Sequence, residues 1–142
     1  MPGIDSNTIA CYHFNSDYSD ATGNGNTLTA TNGNGSVSIS SAQYIFGYGS
    51  VTFNQAVVDN HNSYLSGAIA NNPIVGLGDW TIDLRWRKTN DANTEDIIIG
   101  FGQDSNNYFD IFHSAPGQSP SNSFCIRYVV NGSQVFNYGI TW

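Results

Sequence analysis

Alternation of apolar and polar residues is the feature that most constrains how this chain can fold. In the segment DWTIDLRWRK, residues 79–88, every second residue is apolar. The apolar positions are Trp80, Ile82, Leu84 and Trp86, and the polar positions between them are Thr81, Asp83, Arg85 and Arg87. Because side chains of a β-strand alternate between its two faces, this pattern predicts a half-buried strand. We expect the basic residues to lie on a solvated face, with an anion or carboxylate-sugar site as the alternative.

The same period of two recurs along the chain, and no long segment has helical periodicity. Further strands are predicted at residues 9–14, 36–40, 50–54, 63–66, 96–101, 108–113, 124–130 and 134–138. The continuous apolar run at 96–101 indicates a strand buried on both sides or at a sheet centre. Asn131-Gly132 is a strong hairpin signal between the last two strands. The sequence therefore predicts an all-β fold, an antiparallel β-sandwich or jelly roll.

Length and charge limit the functions open to the chain. Its 142 residues suit one domain, 1–142, and its net charge is −7 with four basic residues. Binding to a nucleic-acid backbone is not expected, because it needs many cations. No stretch approaches the ~20 apolar residues of a membrane helix, so membrane insertion is not expected either. Cys11 and Cys125 could form a disulfide, but burial as free thiols is favoured.

Three blocks of sequence resemble laminin-G-like, concanavalin-A-like jelly-roll domains. In IACYHFNSDYSDATGNGNTLTATNG the matching residues are Tyr12, Phe14, Asp20, Thr22, Gly23, Asn24 and Leu28. The blocks SSAQYIFGYGSVTFNQAVVDNHNSYLS and GLGDWTIDLRWRK follow in the family's order. The start, MPGIDSNT, is similar to single-domain versions in bacteriophage tail and virion proteins. Such domains usually continue past a residue like Trp142, so the resemblance implies that the last strands lie beyond this sequence.

The polar loop after the first predicted strand is a candidate calcium site. Asp17 and Asp20 offer carboxylates, and Asn24 and Asn26 offer amide oxygens. Calcium takes six to eight such oxygen ligands from flexible loops. Relatives in this superfamily bind calcium near the rim of the sandwich, so the resemblance supports Ca²⁺ here. The alternative is a structural turn, because Asp and Asn often hydrogen-bond their own backbone.

Two further loops are candidate sugar-binding sites. One contains Asp59 and Asn60, and the other contains the set Asp104, Asn106, Asn107 and Tyr108. Planar amides and carboxylates can hydrogen-bond sugar hydroxyls, and an aromatic face can cover the apolar side of the ring. The alternative is a pair of polar hairpin loops without a ligand.

The sequence offers little for catalysis. Glucanases of this fold use paired carboxylates on alternate positions of one strand, but Glu95 is the only glutamate and its neighbour Asp96 would face the other way. We therefore expect a non-catalytic binding or adhesion module that recognises glycan or a cell surface through rim loops. It would be a homo-oligomer on a phage or extracellular particle. The alternative is a structural virion protein, a head decoration or fibre subunit, that acts by assembly with other virion proteins.

Overall fold

The computed structural model describes residues 4–44, 47–54, 63–69, 79, 81–87, 96–115 and 123–141. The chain divides into two compact units, Met1–Pro73 and Ile74–Trp142. All regular structure in the described ranges consists of antiparallel β-strands, which confirms the predicted all-β, antiparallel class. The jelly-roll arrangement stays a prediction. The described ranges contain no helix long and apolar enough to cross a membrane.

The described residues of the first unit form two strand pairs. β1 (Thr29–Thr31) pairs with β4 (Tyr64–Ser66), and β2 (Ser36–Ser40) pairs with β3 (Ser50–Asn54). β2 and β3 have the bounds that the alternation predicts. Val37 and Ile39 lie on the less exposed face of β2. Between β1 and β2, the side-chain oxygen of Asn32 accepts a hydrogen bond from the Val37 amide at 2.7 Å.

Residues 9–14 do not form the strand that their apolar character predicts. The segment contains only an isolated bridge between Tyr12 and Asp20. Phe14 has a φ of 54°, a left-handed conformation that ends an extended backbone. The next residue, Asn15, accepts a hydrogen bond from the Tyr48 amide at 2.8 Å through its side chain. This segment is thus held by side-chain and bridge contacts, not by a ladder.

The second unit contains a four-stranded meander. Its strands are β5 (Asp96–Asp104), β6 (Asn107–His113), β7 (Ser123–Val130) and β8 (Ser133–Thr141), in the order β5-β6-β7-β8. Asn131 and Gly132 join β7 to β8 with φ values of 51° and 72°, as the Asn-Gly signal predicts. The four predicted strand positions are confirmed, each with bounds shifted by one to three residues.

The prediction that residues 96–101 form a central strand is wrong. β5 lies at an edge of the sheet that the described residues form, and Ile97 is 60% exposed. β6 and β7 are the central strands, and in β6 every residue from Phe109 to His113 is buried. An apolar run predicts burial but not strand order. The order follows from the connections, because a meander leaves its first strand at an edge.

The strongest strand prediction, residues 79–88, is also not confirmed where the structure describes it. Residues 79 and 81–87 have no strand pairing. The alternation is nevertheless visible in exposure, since Ile82 and Leu84 are half-buried and Asp83 is exposed. The Trp86 ring lies 5.8 Å from the His113 ring on β6. The period of two therefore marks a segment with one covered side and with no strand pairing among the described residues.

Candidate functional site

A groove on the second unit's sheet is the main candidate site. On one face of β5, two successive positions are glycines: Gly100 is opposite Asp110 and Gly102 is opposite Tyr108. Because these positions have no side chains, the sheet surface is open there and forms a depression of about 440 Å³. We call it the glycine groove. Its main lining residues are Ile97, Gly100, Gly102, Asp104, Tyr108, Asp110 and Arg127.

The two glycines of the groove differ in what packing demands of them. A Cβ at Gly102 would lie 3.0 Å from the Tyr108 Cβ, which is tight. A Cβ at Gly100 would lie 3.8 Å from both the Asp110 Cβ and the Ile97 Cγ2, an ordinary contact. Packing therefore favours glycine at position 102. At position 100 the missing side chain mainly keeps the groove open.

An ion pair fixes the polar wall of the groove. Arg127 on β7 is directly opposite Asp110 on β6. Its Nε lies 3.1 Å from Oδ1 and its Nη2 lies 2.5 Å from Oδ2. The Arg127 guanidinium carbon also lies 4.5 Å from the Phe112 ring centre and 5.5 Å from that of Tyr108. The two carboxylate oxygens of Asp110 and the two aromatic rings thus hold the guanidinium in one orientation.

The turn between β5 and β6 forms one end of the groove. The Asp104 carboxylate accepts hydrogen bonds from the Asn106 amide at 2.7 Å and from the Asn107 side chain at 3.1 Å. These bonds, the Asn106 amide first, lower the pKa of Asp104. The Asn107 side-chain oxygen accepts from the Asn131 amide at 3.1 Å, and the Gly132 amide donates to the Asn106 carbonyl at 2.9 Å. The two turns at this end of the sheet are therefore tied together.

The structure separates the predicted sugar-binding residues into two roles. Asp104 and Tyr108 line the groove. Asn106 and Asn107 instead hold the two turns in place. The other predicted pair, Asp59 and Asn60, lies outside the described residues.

In the first unit, Asp20 organises the loop that is the candidate calcium site. Its carboxylate accepts hydrogen bonds from the Cys11 and Thr22 amides, each at 3.0 Å, from the Asn26 amide at 3.3 Å and from the Thr22 hydroxyl at 2.7 Å. Partial burial raises the pKa of Asp20, but these hydrogen bonds outweigh it and lower the pKa to about 2. Asp20 is thus held as a carboxylate by its own loop.

The other three residues of the candidate calcium site also make hydrogen bonds within the protein. Asp17 accepts hydrogen bonds from the amide and hydroxyl of Ser19. The side chains of Asn24 and Asn26 each donate to the Ile9 carbonyl, at 3.0 and 2.9 Å. Among the described residues, there is no cluster of three or more acidic, histidine or cysteine side chains that could hold a metal ion. The geometry is that of a hydrogen-bonded turn, and calcium binding stays a prediction.

The basic residues and the two cysteines are the other polar residues that the sequence singled out. Arg85 and Arg87 are exposed, as a solvated strand face would have them. Both cysteine thiols are free; Cys125 is fully buried and Cys11 is half-buried. Burial, and then the charge of Asp20, raise the pKa of the Cys11 thiol.

Sequence reasoning missed the centre of the groove. A signal was present, since Asp110 and Arg127 are single charges inside otherwise apolar strands and a buried charge needs a partner. Gly100 and Gly102 give a second signal, because glycines two apart in a strand clear one face. What the sequence does not contain is the register that places these four residues together.

The chain was compared with protein-family models, curated proteins and solved structures, and it matches none of them. The resemblance to laminin-G-like domains therefore stays an expectation based on the three sequence blocks.

Proposed function

We propose that the protein is a non-catalytic binding module that recognises glycan through the glycine groove, on a phage or another extracellular particle. The observation that carries the proposal is the combination of groups in the groove. A Tyr108 ring and the apolar Ile97 side chain lie beside the fixed Asp110–Arg127 pair and the Asp104 carboxylate. Sugar rings have an apolar face and a rim of hydroxyls, so they need this mixture of aromatic and planar polar groups.

The charges of the groove favour a neutral sugar over an acidic one. One guanidinium, that of Arg127, lies among the two carboxylates of Asp104 and Asp110. The chain as a whole carries a net charge of −7. An acidic sugar would meet repulsion both locally and at long range, whereas hydroxyl groups can use the exposed Asp104 carboxylate as an acceptor.

The same contacts argue against a hydrolytic role. General acid–base catalysis on a glycosidic bond needs two carboxyl groups placed across the substrate. In the groove, Arg127 engages both oxygens of Asp110, and the β5–β6 turn engages Asp104. Both carboxylates are thus held in place by hydrogen bonds within the protein, which suits a binding site.

A panel of neutral and carboxylated mono- and disaccharides, titrated by calorimetry, tests the proposal. We expect at least one neutral sugar to bind, and Gly100→Val to abolish that binding by filling the groove. Gly100→Ala, which packing tolerates, should keep most of it. Tyr108→Ala should weaken binding at least tenfold, whereas Tyr48→Ala, which removes an exposed tyrosine of the first unit, should not change it. Binding that survives Gly100→Val, or no binding by any sugar of the panel, would overturn the proposal.

The second candidate function is a structural virion subunit that acts by assembly. The observation that favours it is the exposed apolar side of β8, with Phe136, Tyr138 and Ile140 each about half exposed. A chain that assembles but binds no sugar of the panel would support this function over glycan recognition.

A further inference from the structure

The two edges of the second unit's sheet differ in how they are protected. Open sheet edges invite pairing with other strands, and proteins usually protect them with charges, prolines or bulges. β5 carries Asp96 at one end and Asp104 at the other, and its register is shifted at both ends, between Ile97 and Ile99 and between Gly102 and Asp104. This edge is poorly suited to receive another strand.

β8, at the opposite edge, lacks most of this protection. Its sequence, SQVFNYGIT, contains no charged residue and no proline. The only register shift is near its start, so the stretch from Phe136 to Thr141 pairs regularly with β7. Phe136, Tyr138 and Ile140 are 49%, 57% and 54% exposed. On its outer side, β8 has no strand partner among the described residues.

We propose that β8 pairs antiparallel with β8 of a second copy of this chain and so forms a two-fold symmetric dimer. The charge distribution limits where a second copy can bind. Two chains of net charge −7 repel each other, and the repulsion is weakest where they meet at an uncharged surface. The sheet's carboxylates, Asp96, Asp104 and Asp110, lie on β5 and β6, at the side away from β8. β8 is therefore where two sheets can meet with the least repulsion.

The side chains of β8 are also complementary to themselves. Alternate residues share a face, so Phe136, Tyr138 and Ile140 lie in one row, and the Phe136 and Tyr138 rings stack with centres 6.3 Å apart. In an antiparallel pair centred on Tyr138, each Tyr138 is opposite its copy and each Phe136 is opposite the copy's Ile140. Cross-strand aromatic and aliphatic pairs of this kind stabilise a sheet. The contact is isologous, as a two-fold dimer requires.

Such pairing would extend the sheet to eight strands with the same face on the same side in both copies. The two glycine grooves would then lie on the same face of the joined sheet, six strand spacings or roughly 30 Å apart. Since each strand of a sheet is rotated by about 20–25° relative to the next, the grooves would point in different directions. The dimer would thus carry two sites, and avidity would raise weak binding to a ligand that reaches both. This last step alone rests on the proposed glycan function; the dimer does not.

Sedimentation equilibrium over a concentration series, without any sugar, tests the dimer. We expect the chain to dimerise, and Tyr138→Lys to weaken dimerisation at least tenfold, because it places two like charges opposite each other at the axis. Ile140→Lys is a second variant with the same expected direction. Ile97→Lys is the matched control, since it puts the same charge at an equally exposed position on the other edge, and it should leave the dimer unchanged. Circular dichroism checks that each variant is folded.

Hydrogen exchange of the β8 amides separates edge pairing from other contacts. Pairing predicts that outward β8 amides become more protected as protein concentration rises, and that Tyr138→Lys removes this effect. A chain that stays monomeric, or an Ile97→Lys variant that dissociates as readily as Tyr138→Lys, would overturn the proposal. A dimer without concentration-dependent β8 protection would also overturn it, because the copies would then meet through side chains alone.

Discussion

The guanidinium of Arg127 lies across the carboxylate of Asp110, with its Nε and Nη2 atoms 3.1 and 2.5 Å from the two carboxylate oxygens. The pair joins the two central strands, β6 and β7, at positions directly opposite each other. The side chain of Asp110 is 3% exposed and that of Arg127 is 18% exposed. The Asp110 side chain is thus buried within the sheet, whereas part of the Arg127 side chain is exposed at the groove.

Breaking this pair should destabilise the second unit strongly. Asp110→Ala leaves a largely buried guanidinium without its partner, so we expect a loss of about 3 kcal/mol in the free energy of unfolding. Arg127→Met should cost at least as much, because it leaves the Asp110 carboxylate, whose side chain is 3% exposed, without the guanidinium. Urea unfolding of both single variants and the double variant should give a coupling of at least about 1 kcal/mol.

Asp83→Ala, at an exposed position of the same unit, is the control and should stay within about 0.5 kcal/mol of the parent chain. Additive effects in the cycle would contradict the assigned role.

The pKa of Asp20 predicts a pH dependence of the first unit. Its folded pKa, about 2, is below its ordinary value of 3.8. A lowered pKa means that the ionised form is favoured by folding, so its stabilisation is present above pH ~4 and is lost as the pH falls toward about 2. Since Asp20 is partly exposed, we expect a contribution of about 1 kcal/mol. Asp20→Asn should therefore lower stability at neutral pH, and the difference from the parent chain should shrink near pH 2. A difference that stays constant across this range would contradict the assignment.

Calcium provides a separate test of the same loop. Because the Asp20 carboxylate already accepts hydrogen bonds from Cys11, Thr22 and Asn26, we expect millimolar calcium to leave the unfolding midpoint where it is in EDTA. A bound ion would instead raise stability by ~2.7 kcal/mol at a hundredfold excess over its dissociation constant. A rise of the midpoint in calcium that Asp20→Asn removes would establish the metal site and contradict the simple turn.

The sequence predicted the parts of this fold that depend on local signals. Alternation located β2 and β3 with their bounds, and Asn131-Gly132 located the last hairpin. Sequence-based prediction failed where the place of a segment depends on the distant residues that it contacts. The run at 96–101 predicts burial, but only the meander order puts β5 at an edge. Residues 9–14 look like a strand, but Phe14 has a positive φ and the next residue, Asn15, accepts a hydrogen bond from the distant Tyr48 amide.

The candidate site shows the same division. The sequence singles out Asp104 and Tyr108 because a loop rich in Asp and Asn beside an aromatic ring is typical of sugar sites, and both residues line the groove. It does not single out Gly100 and Arg127, because their role depends on the register of three strands. The side-chain amide of Asn107 looks like a ligand group in the sequence, but its oxygen accepts a hydrogen bond from the Asn131 amide. Asn106 contributes its backbone, whose carbonyl accepts from the Gly132 amide.

The two cysteines should differ in reactivity. Cys125 is fully buried, whereas Cys11 is half-buried with a raised pKa. Because the thiolate is the reactive form, alkylation at mildly alkaline pH should modify Cys11 more slowly than a free thiol, and Cys125 only after unfolding. Mass spectrometry of the native and urea-treated chain measures both. Cys11→Ser removes the first site as a control. Rapid modification of Cys125 in the native chain would contradict its placement in the sheet.

Two glycine substitutions should have opposite outcomes for a reason visible in the backbone. Gly49 is buried, and a Cβ there would lie 2.3 Å from the Phe14 carbonyl oxygen, a contact that backbone atoms cannot relieve cheaply. We expect Gly49→Ala to lower the free energy of unfolding by about 2–3 kcal/mol through strain. Gly100→Ala meets only contacts of 3.8 Å or more, and alanine also restricts the unfolded chain. It should be neutral or stabilising by up to about 1 kcal/mol. Urea unfolding of both variants under one condition makes the comparison, and equal losses would show that the close approach of Phe14 to Gly49 does not constrain the first unit.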